Sequence, residues 1–340
     1  MSKIVFFQTT PDTKTYVQKH WDQPDTNLVF FEEDIDDLSP EAYADADYVS
    51  PFVNSFIKGT YLDNFTNLKG IATRSTGFDH IDGAAAREKG IDVSNVPHYG
   101  ENTVAEHTFA LLLALSRRIP EAVDRTRSLS FSPEGLTGFD IKDKTLGIIG
   151  MGRIGSHVAR MAKGFDMNVI AYDPFPRQEL AEEIGFTYVE LEDIVSLSDV
   201  ISLHTAYRPE THHILNSEHL DKFKKGVILL NTARGGLIET SMILEGLKSG
   251  VIGGAGLDVL EEECHISEEV ELYSKQFQKT CNINTLLQDH MIIHHPRVIV
   301  TPHCAFNSQE ALERIYATTL ENLRAMLKGE PQNVVNPEEK

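Results

Sequence analysis

Short, wholly apolar runs punctuate this chain, and they restrict its fold more than any other feature. In the first 95 residues, IVFFQ (4–8), LVFF (28–31), DYVS (47–50), GIATR (70–74) and IDVSN (91–95) have the length and β-branched content of strands. Polar helical segments fill the gaps. HIDGAAAREKG (80–90) reads as an amphipathic helix ended by Gly90. Strands apolar on both sides need cover on both faces, which a parallel sheet between helical layers provides. A second series begins at Thr145: TLGIIG (145–150), NVIAYD (168–173), VISLH (200–204), GVILLN (226–231), GAGLDV (254–259) and VIVTPH (298–303). Between the two series lies ENTVAEHTFALLLALSRR (101–118), a helix nearly apolar from Val104 to Leu115. Such a helix is buried between layers, and it stands where two domains would join. SQEALERIYATTLENLRAMLKG (308–329) reads as a long amphipathic helix closed by Gly329. EEDIDD (32–37) reads as a solvated loop. The stretch 264–297 fits neither series and reads as an insertion of polar helical pieces with a His-rich end.

The 340 residues suit two domains. With 51 acidic against 31 basic side chains the net charge is −20, which argues against nucleic acid or an anionic membrane surface as partner. The longest apolar stretch, 109–115, is far below the ~20 residues of a spanning helix, and MSKIVFFQTTPD lacks the features of a signal peptide. Three cysteines, Cys264, Cys281 and Cys304, form no zinc-type pattern. They read as free thiols in a reducing, cytoplasmic location.

The strongest local motif is Gly150-Met151-Gly152-Arg153-Ile154-Gly155. It closes an apolar strand, opens a helix, and precedes a second strand that ends in Asp173, 18 residues after Gly155. A dinucleotide fold requires this context. Gly150 permits the tight turn, Gly152 lets backbone approach a pyrophosphate, and Gly155 lets helix and strand pack. The helix start supplies N–H groups and a positive dipole end. Asp173 would accept hydrogen bonds from ribose hydroxyls and repel a 2′-phosphate, favouring NAD over NADP. Other strand ends carry polar groups: His204-Thr205-Ala206, Thr232-Ala233-Arg234, Asp258 followed by Glu261, Glu262 and Glu263, and His303. Each alone has a bland reading: a surface cation, a solvated acidic loop, a residue at a helix start. Together, at successive strand ends of a dinucleotide sheet, they read as a site. His290 and His294 share a helical spacing with His295 close by, but nothing supplies further zinc ligands, so no metal is expected. Cys304 reads as a packing residue.

These motifs resemble the D-isomer-specific 2-hydroxyacid dehydrogenases, and among them the D-lactate dehydrogenase branch. RSTGFDHID (74–82), NVPHYGENTVAEH (95–107), the glycine loop, NTARGGLIE (231–239), GLDVLEEE (256–263) and TPHCAF (301–306) occur in family order. The resemblance implies two doubly wound, parallel-sheet (Rossmann-like) α/β domains. The first, substrate-binding, is split as 1–99 plus 305–340 around an NAD-binding domain, 100–304, that carries the insertion 264–297. It implies Arg234 as the clamp on the substrate carboxylate, His303 as general acid/base, and Glu263 as the acid that hydrogen-bonds that histidine. Thr76, Gly77, Tyr99, Phe306 and Phe52 match substrate contacts. Arg153, Ile154, Asp173, Thr205, Ala206, Thr232, Arg234 and Asp258 match cofactor contacts, with His204 and Ala233 beside them. Thr205-Ala206 departs from the Val-Pro common in the family. Reduction of a 2-keto acid, pyruvate first, by NADH follows, in a homodimer with no partner beyond its small substrate. Hydroxypyruvate or glyoxylate reductase is the alternative within enzymes. A dinucleotide-sensing corepressor-like protein is the alternative outside them; those carry extra terminal regions, whereas this sequence ends at PEEK soon after its last helix.

Asp173→Ala is expected to narrow the gap between NADH and NADPH, mainly through KM. Initial rates with each cofactor test this; a wild type that uses both equally would remove Asp173 from that role.

Overall fold

The computed structural model describes residues 1–53, 55–78, 80–261 and 283–335. They form two compact units, one from Met1–Tyr99 with the chain from Ser308 onward, the other from Gly100–Asn307.

In the first unit, β1 (Ser2–Phe6), β2 (Thr26–Phe30), β3 (Tyr48–Ser50), β4 (Gly70–Ala72) and β5 (Asp92–Ser94) make a parallel sheet in the order β2-β1-β3-β4-β5. Alternate side chains go to opposite faces. Val5, Val49, Ile71 and Val93 pack with Phe7, Ile35 and Ile57. Ile4, Phe6, Tyr48 and Ala72 pack with Val17 and with Leu320, Leu323 and Met326 of the helix Gln309–Leu327. That helix starts where Ser308 Oγ accepts the Ala311 N–H at 3.2 Å, and Gly329, at φ 76°, closes it. The chain therefore returns to this unit at the cap residue Ser308, three positions later than the sequence suggested. Asn322, fully buried, donates from Nδ2 to the Asn95 carbonyl at 2.8 Å and accepts from Asn333 Nδ2 at 2.8 Å. The tail then lies along β5, with Val335 N–H on the Val93 carbonyl at 2.8 Å.

In the second unit, β6 (Thr145–Ile149), β7 (Asn168–Tyr172), β8 (Thr187–Tyr188), β9 (Val200–Leu203), β10 (Val227–Asn231), β11 (Ile252–Leu257) and β12 (Val298–Val300) form a parallel sheet. The order β12-β11-β10-β9-β6-β7-β8 reverses direction at β6, leaving a switch point between β6 and β9. The helix Glu101–Ser116 inserts Phe109, Leu111 and Leu112 into the core with Leu146, Ile148, Ile228 and Leu230. Leu113 and Leu115, further along the helix, are only partly buried against that core.

Several expectations shift. β8 has only two residues and no apolar run to announce it. β11 begins two residues earlier than expected, because Gly253 and Gly254 mask its start. β12 ends at Val300, so the segment before His303 is a turn and not strand; Pro302 has no N–H for a ladder. Of the supposed insertion, 264–282 lies outside the described residues. The next part is helical as expected, Ile283–Ile293, but it is not purely polar: it buries Leu286 and Ile292. Ile292 packs in the cluster with Met242 and Ile243.

Asn322→Ala would leave the Asn95 carbonyl and the Asn333 amide without their partner. A loss of about 1–3 kcal/mol is expected, read as a lower urea midpoint by circular dichroism; an unchanged midpoint would show that solvent replaces both bonds without cost.

Candidate active site

Read across the seven-stranded sheet, the residues just beyond successive strands are His303 (β12), Asp258 (β11), Arg234 (β10), His204 (β9), Gly150 (β6) and Asp173 (β7). The parallel order puts all six at one carboxyl edge, spanning the switch point.

The glycine loop fits a dinucleotide. Gly150 has φ 96°, and a Cβ there would lie 2.7 Å from the His204 carbonyl group. A Cβ on Gly155 would lie 2.2 Å from the Gly150 carbonyl oxygen, so helix Arg153–Gly164 meets β6 too closely for a side chain. Gly152 is that helix's N-cap and brings no capping side chain. The space where its Cβ would stand is open to at least 4 Å, which leaves a cradle for an anion at the helix start, beside Arg153 and Ile154. Asp173 is fixed at the rim: one carboxylate oxygen accepts the Met151 N–H at 2.8 Å and the other the Phe175 N–H at 2.9 Å. Arg177 donates to the Met151 carbonyl. His204 binds Ser202 Oγ through Nε2 at 2.7 Å, and burial lowers its pKa to about 3, so the ring is neutral at any working pH. Its buried Nδ1 lacks a hydrogen-bond partner among the described residues, a polar atom left over at the dinucleotide edge. Thr205 is half-buried and Ala206 exposed; the Ala206 carbonyl accepts Thr211 Oγ1 at 2.8 Å.

Arg234 stands on a turn built by Asn231, which the sequence reading passed over. Asn231 Oδ1 accepts the Ala233 N–H at 3.0 Å, and its Nδ2 donates to the Arg234 carbonyl at 2.8 Å. The preceding Thr232 shares a hydrogen bond with Thr108 of helix Glu101–Ser116 at 3.0 Å. A Cβ on Gly235 would sit 2.0 Å from the Leu260 carbonyl oxygen. The arginine turn therefore packs directly on the chain that leads to the acidic triplet. The guanidinium Nη1 donates to the Ala233 carbonyl at 2.8 Å.

His303 has φ 48°, a left-handed backbone unusual for a residue with a side chain. Asp258 holds it there. The Asp258 carboxylate, 1 % exposed, accepts the Thr301 hydroxyl, the Cys304 N–H at 2.9 Å and the Ala305 N–H at 2.8 Å, while its carbonyl accepts the His303 N–H at 2.9 Å. The side chain expected to touch cofactor thus also braces the His303 turn. His107 Nε2 lies 3.0 Å from Thr301 Oγ1. Burial, and then the neighbouring Asp258 carboxylate, push the Cys304 thiol pKa up, so little thiolate forms. Phe306 is half-buried close by in sequence. Glu263 and Glu262 lie outside the described residues. Glu261 is committed elsewhere: it binds His213 Nε2 at 2.7 Å and Thr240 Oγ1 at 2.8 Å. The C-terminal histidines serve their helix end, His294 Nδ1 on the His290 carbonyl at 2.8 Å and His295 Nδ1 on the Arg297 N–H at 3.2 Å.

In the first unit, the remaining candidates follow β3, β4 and β5. Phe52 lies over the buried Arg74 guanidinium, 5.4 Å from carbon to ring centroid, and Arg74 donates to the Phe7 and Gln8 carbonyls. Thr76 Oγ1 donates to the Val96 carbonyl at 2.7 Å, and the Gly77 carbonyl accepts Ser75 Oγ at 2.6 Å. Tyr99 is half-buried, its carbonyl accepting Arg314 Nε at 2.5 Å.

A dinucleotide-type sheet with an arginine and a histidine at its carboxyl edge has the make-up of a nicotinamide-dependent dehydrogenase. Residues 109–305 match the family model "D-isomer specific 2-hydroxyacid dehydrogenase, NAD binding domain". The chain is 37% identical to a D-lactate dehydrogenase of Escherichia coli over 96% of its own length and 98% of that protein. It is 35% identical to a glyoxylate reductase of Korarchaeum cryptofilum, over 88% and 85% of the two chains. Among solved structures, D-lactate dehydrogenase from Aquifex aeolicus complexed with NAD and lactic acid superposes with a TM-score of 0.84 at 35% identity, covering 96% of each chain. The chain belongs to the D-isomer specific 2-hydroxyacid dehydrogenase family, and is an NAD-dependent oxidoreductase acting on CH–OH groups.

Asp258→Asn keeps the shape but replaces one acceptor oxygen with a donor facing donors. Loss of a charge-assisted bond worth ~1.5–3 kcal/mol should loosen the His303 turn and lower kcat roughly 10- to 100-fold. A fall in kcat larger than the rise in the NADH dissociation constant, measured by fluorescence, is expected; a large rise there with kcat intact would make Asp258 a cofactor contact without a part in bracing the turn.

Proposed function

We propose that this dehydrogenase reduces a short 2-keto acid, pyruvate before others, to the D-2-hydroxy acid, and catalyses the reverse oxidation. The observation that supports this most is the pairing of Arg234 and His303 on turns flanking β11, the latter turn fastened to Asp258. NADH, when bound, supplies the hydride that reaches C2. The Arg234 guanidinium grips the substrate carboxylate with its planar fork, fixing which face of C2 is open. The imidazolium of His303 gives its proton to the carbonyl oxygen as C2 gains the hydride, and neutral His303 takes the proton back in oxidation. Glu263 is assigned as the acidic partner of that ring on its place in the motif GLDVLEEE. Thr76, Gly77, Tyr99, Phe52 and Phe306 bound the substrate. The glycine loop, with Arg153 and Ile154, takes the pyrophosphate. Asp173 takes the ribose, and His204, Thr205, Ala206, Thr232 and Ala233 line the rest of the cofactor site.

Glyoxylate or hydroxypyruvate is the second reading, favoured by the similarity to a glyoxylate reductase. NADH oxidation across pyruvate, glyoxylate, hydroxypyruvate and bulkier 2-keto acids separates the two: the highest kcat/KM is expected with pyruvate, and a preference for glyoxylate would install the second reading. For the assembly, the proposal is a cytoplasmic homodimer. Leu129 and Phe131, 86 % and 82 % exposed, follow a helix (Ile119–Arg127) with further exposed apolar side chains, and such a patch suits self-association.

Arg234→Lys keeps the charge and loses the fork. KM for pyruvate is expected to rise and kcat to fall, together lowering kcat/KM about 10- to 100-fold, with NADH affinity little changed. An unaltered kcat/KM would remove Arg234 from the substrate.

A further inference from the structure

We propose that His107, Asp258 and Cys304 form a binding site for a thiophilic divalent cation of the zinc or cadmium class, and that its occupation disables the His303 turn. The imidazole, carboxylate and thiol donor atoms all lie within 4.8 Å of one another. His107 Nε2 is 3.6 Å from an Asp258 carboxylate oxygen. Tetrahedral zinc with ligands at ~2.0–2.3 Å keeps donors roughly 3.5 Å apart, so a contraction of about 1 Å closes the set. The three residues come from separate elements, the helix Glu101–Ser116, the end of β11 and the turn after β12, each seated in the core of one unit. The site is thus arranged before any ion arrives. Asp258 is buried, while the His107 side chain is 22% exposed and gives access.

The donor chemistry selects the ion. A nitrogen, an oxygen and a sulfur suit zinc or cadmium and disfavour magnesium and calcium, which take oxygen. Three protein ligands leave a fourth position for water. On binding, the Cys304 S–H bond breaks and an S–metal bond forms; the proton passes to solvent, and no oxidation state changes. The carboxylate and the neutral imidazole donate existing lone pairs. The Asp258 oxygen nearest His107 at present accepts the Thr301 hydroxyl and the Cys304 N–H. A cation there competes with both bonds and draws Cys304 inward, and the residue next to Cys304 is His303. This consequence rests on the reading of His303 as acid/base; the binding itself does not.

The test uses the full chain with Cys264→Ser and Cys281→Ser, so that Cys304 is the remaining thiol. Cadmium titration should raise a thiolate-to-metal ultraviolet absorption band that saturates at one equivalent, with one proton released per ion. Adding Cys304→Ser should abolish the band, and His107→Gln should weaken binding at least tenfold. Keto-acid reduction should fall with the same midpoint, return on chelation, and become cadmium-resistant in Cys304→Ser, whose hydroxyl can still donate to Asp258. No band at stoichiometric cadmium, or a midpoint indifferent to His107→Gln, would overturn the site. A saturating band with full activity would overturn the disabling of the turn. A band in a protein that reduces no 2-keto acid would support the site while refuting the proposed reaction.

Discussion

The Asp258 carboxylate, anchored at the end of β11, collects donors from a turn more than 40 residues further along the chain. A buried carboxylate is costly unless its lone pairs are filled, and here the fillers are mostly backbone N–H groups. Charge-assisted bonds of this kind contribute ~1.5–3 kcal/mol each. A non-glycine residue in the left-handed region costs ~1–3 kcal/mol. Several such bonds therefore outweigh the strain at His303. The left-handed turn at His303 is held through the main chain.

Everything else at the carboxyl edge is arranged around that fixed point. The turn carrying Arg234 is tied by Asn231 on one side and pressed against Leu260 on the other. Glu261 is fastened to His213 and Thr240, so the root of the acidic triplet is anchored before Glu263 is reached. On the far side of the switch point, the glycine loop and Asp173 form a separate polar structure, tied through the Met151 N–H. Topology alone brings the two sides together, since β9 and β6 are adjacent in the sheet though far apart in sequence.

The strands were legible because their residues are apolar on both faces, as in VILLN at β10. Their ends were displaced by one to three residues, where polar side chains leave the ladder to serve turns. The helix Ile283–Ile293 read as polar because the buried Asp289 interrupts its apolar face between Leu286 and Ile292. The carboxyl-edge positions of Arg234 and His303 were legible because each closely follows an apolar strand run. The work of Asp258 could not, since its partners are backbone amides that leave no mark on side-chain identity. Asn231 carried a faint signal, a single amide closing an otherwise apolar strand.

The discontinuity of the first unit bears on how the protein is made. Ile4, Phe6, Tyr48 and Ala72 emerge from the ribosome well before Leu320, Leu323 and Met326, which cover them and lie more than 240 positions further along the chain. At ~5–20 residues per second, the intervening stretch takes tens of seconds. During that interval the sheet face stays uncovered while the unit Gly100–Asn307 can complete its own core. Biogenesis of this chain thus has a built-in order, with the inserted unit made first and a nascent apolar surface that chaperones have reason to guard until the helix Gln309–Leu327 docks.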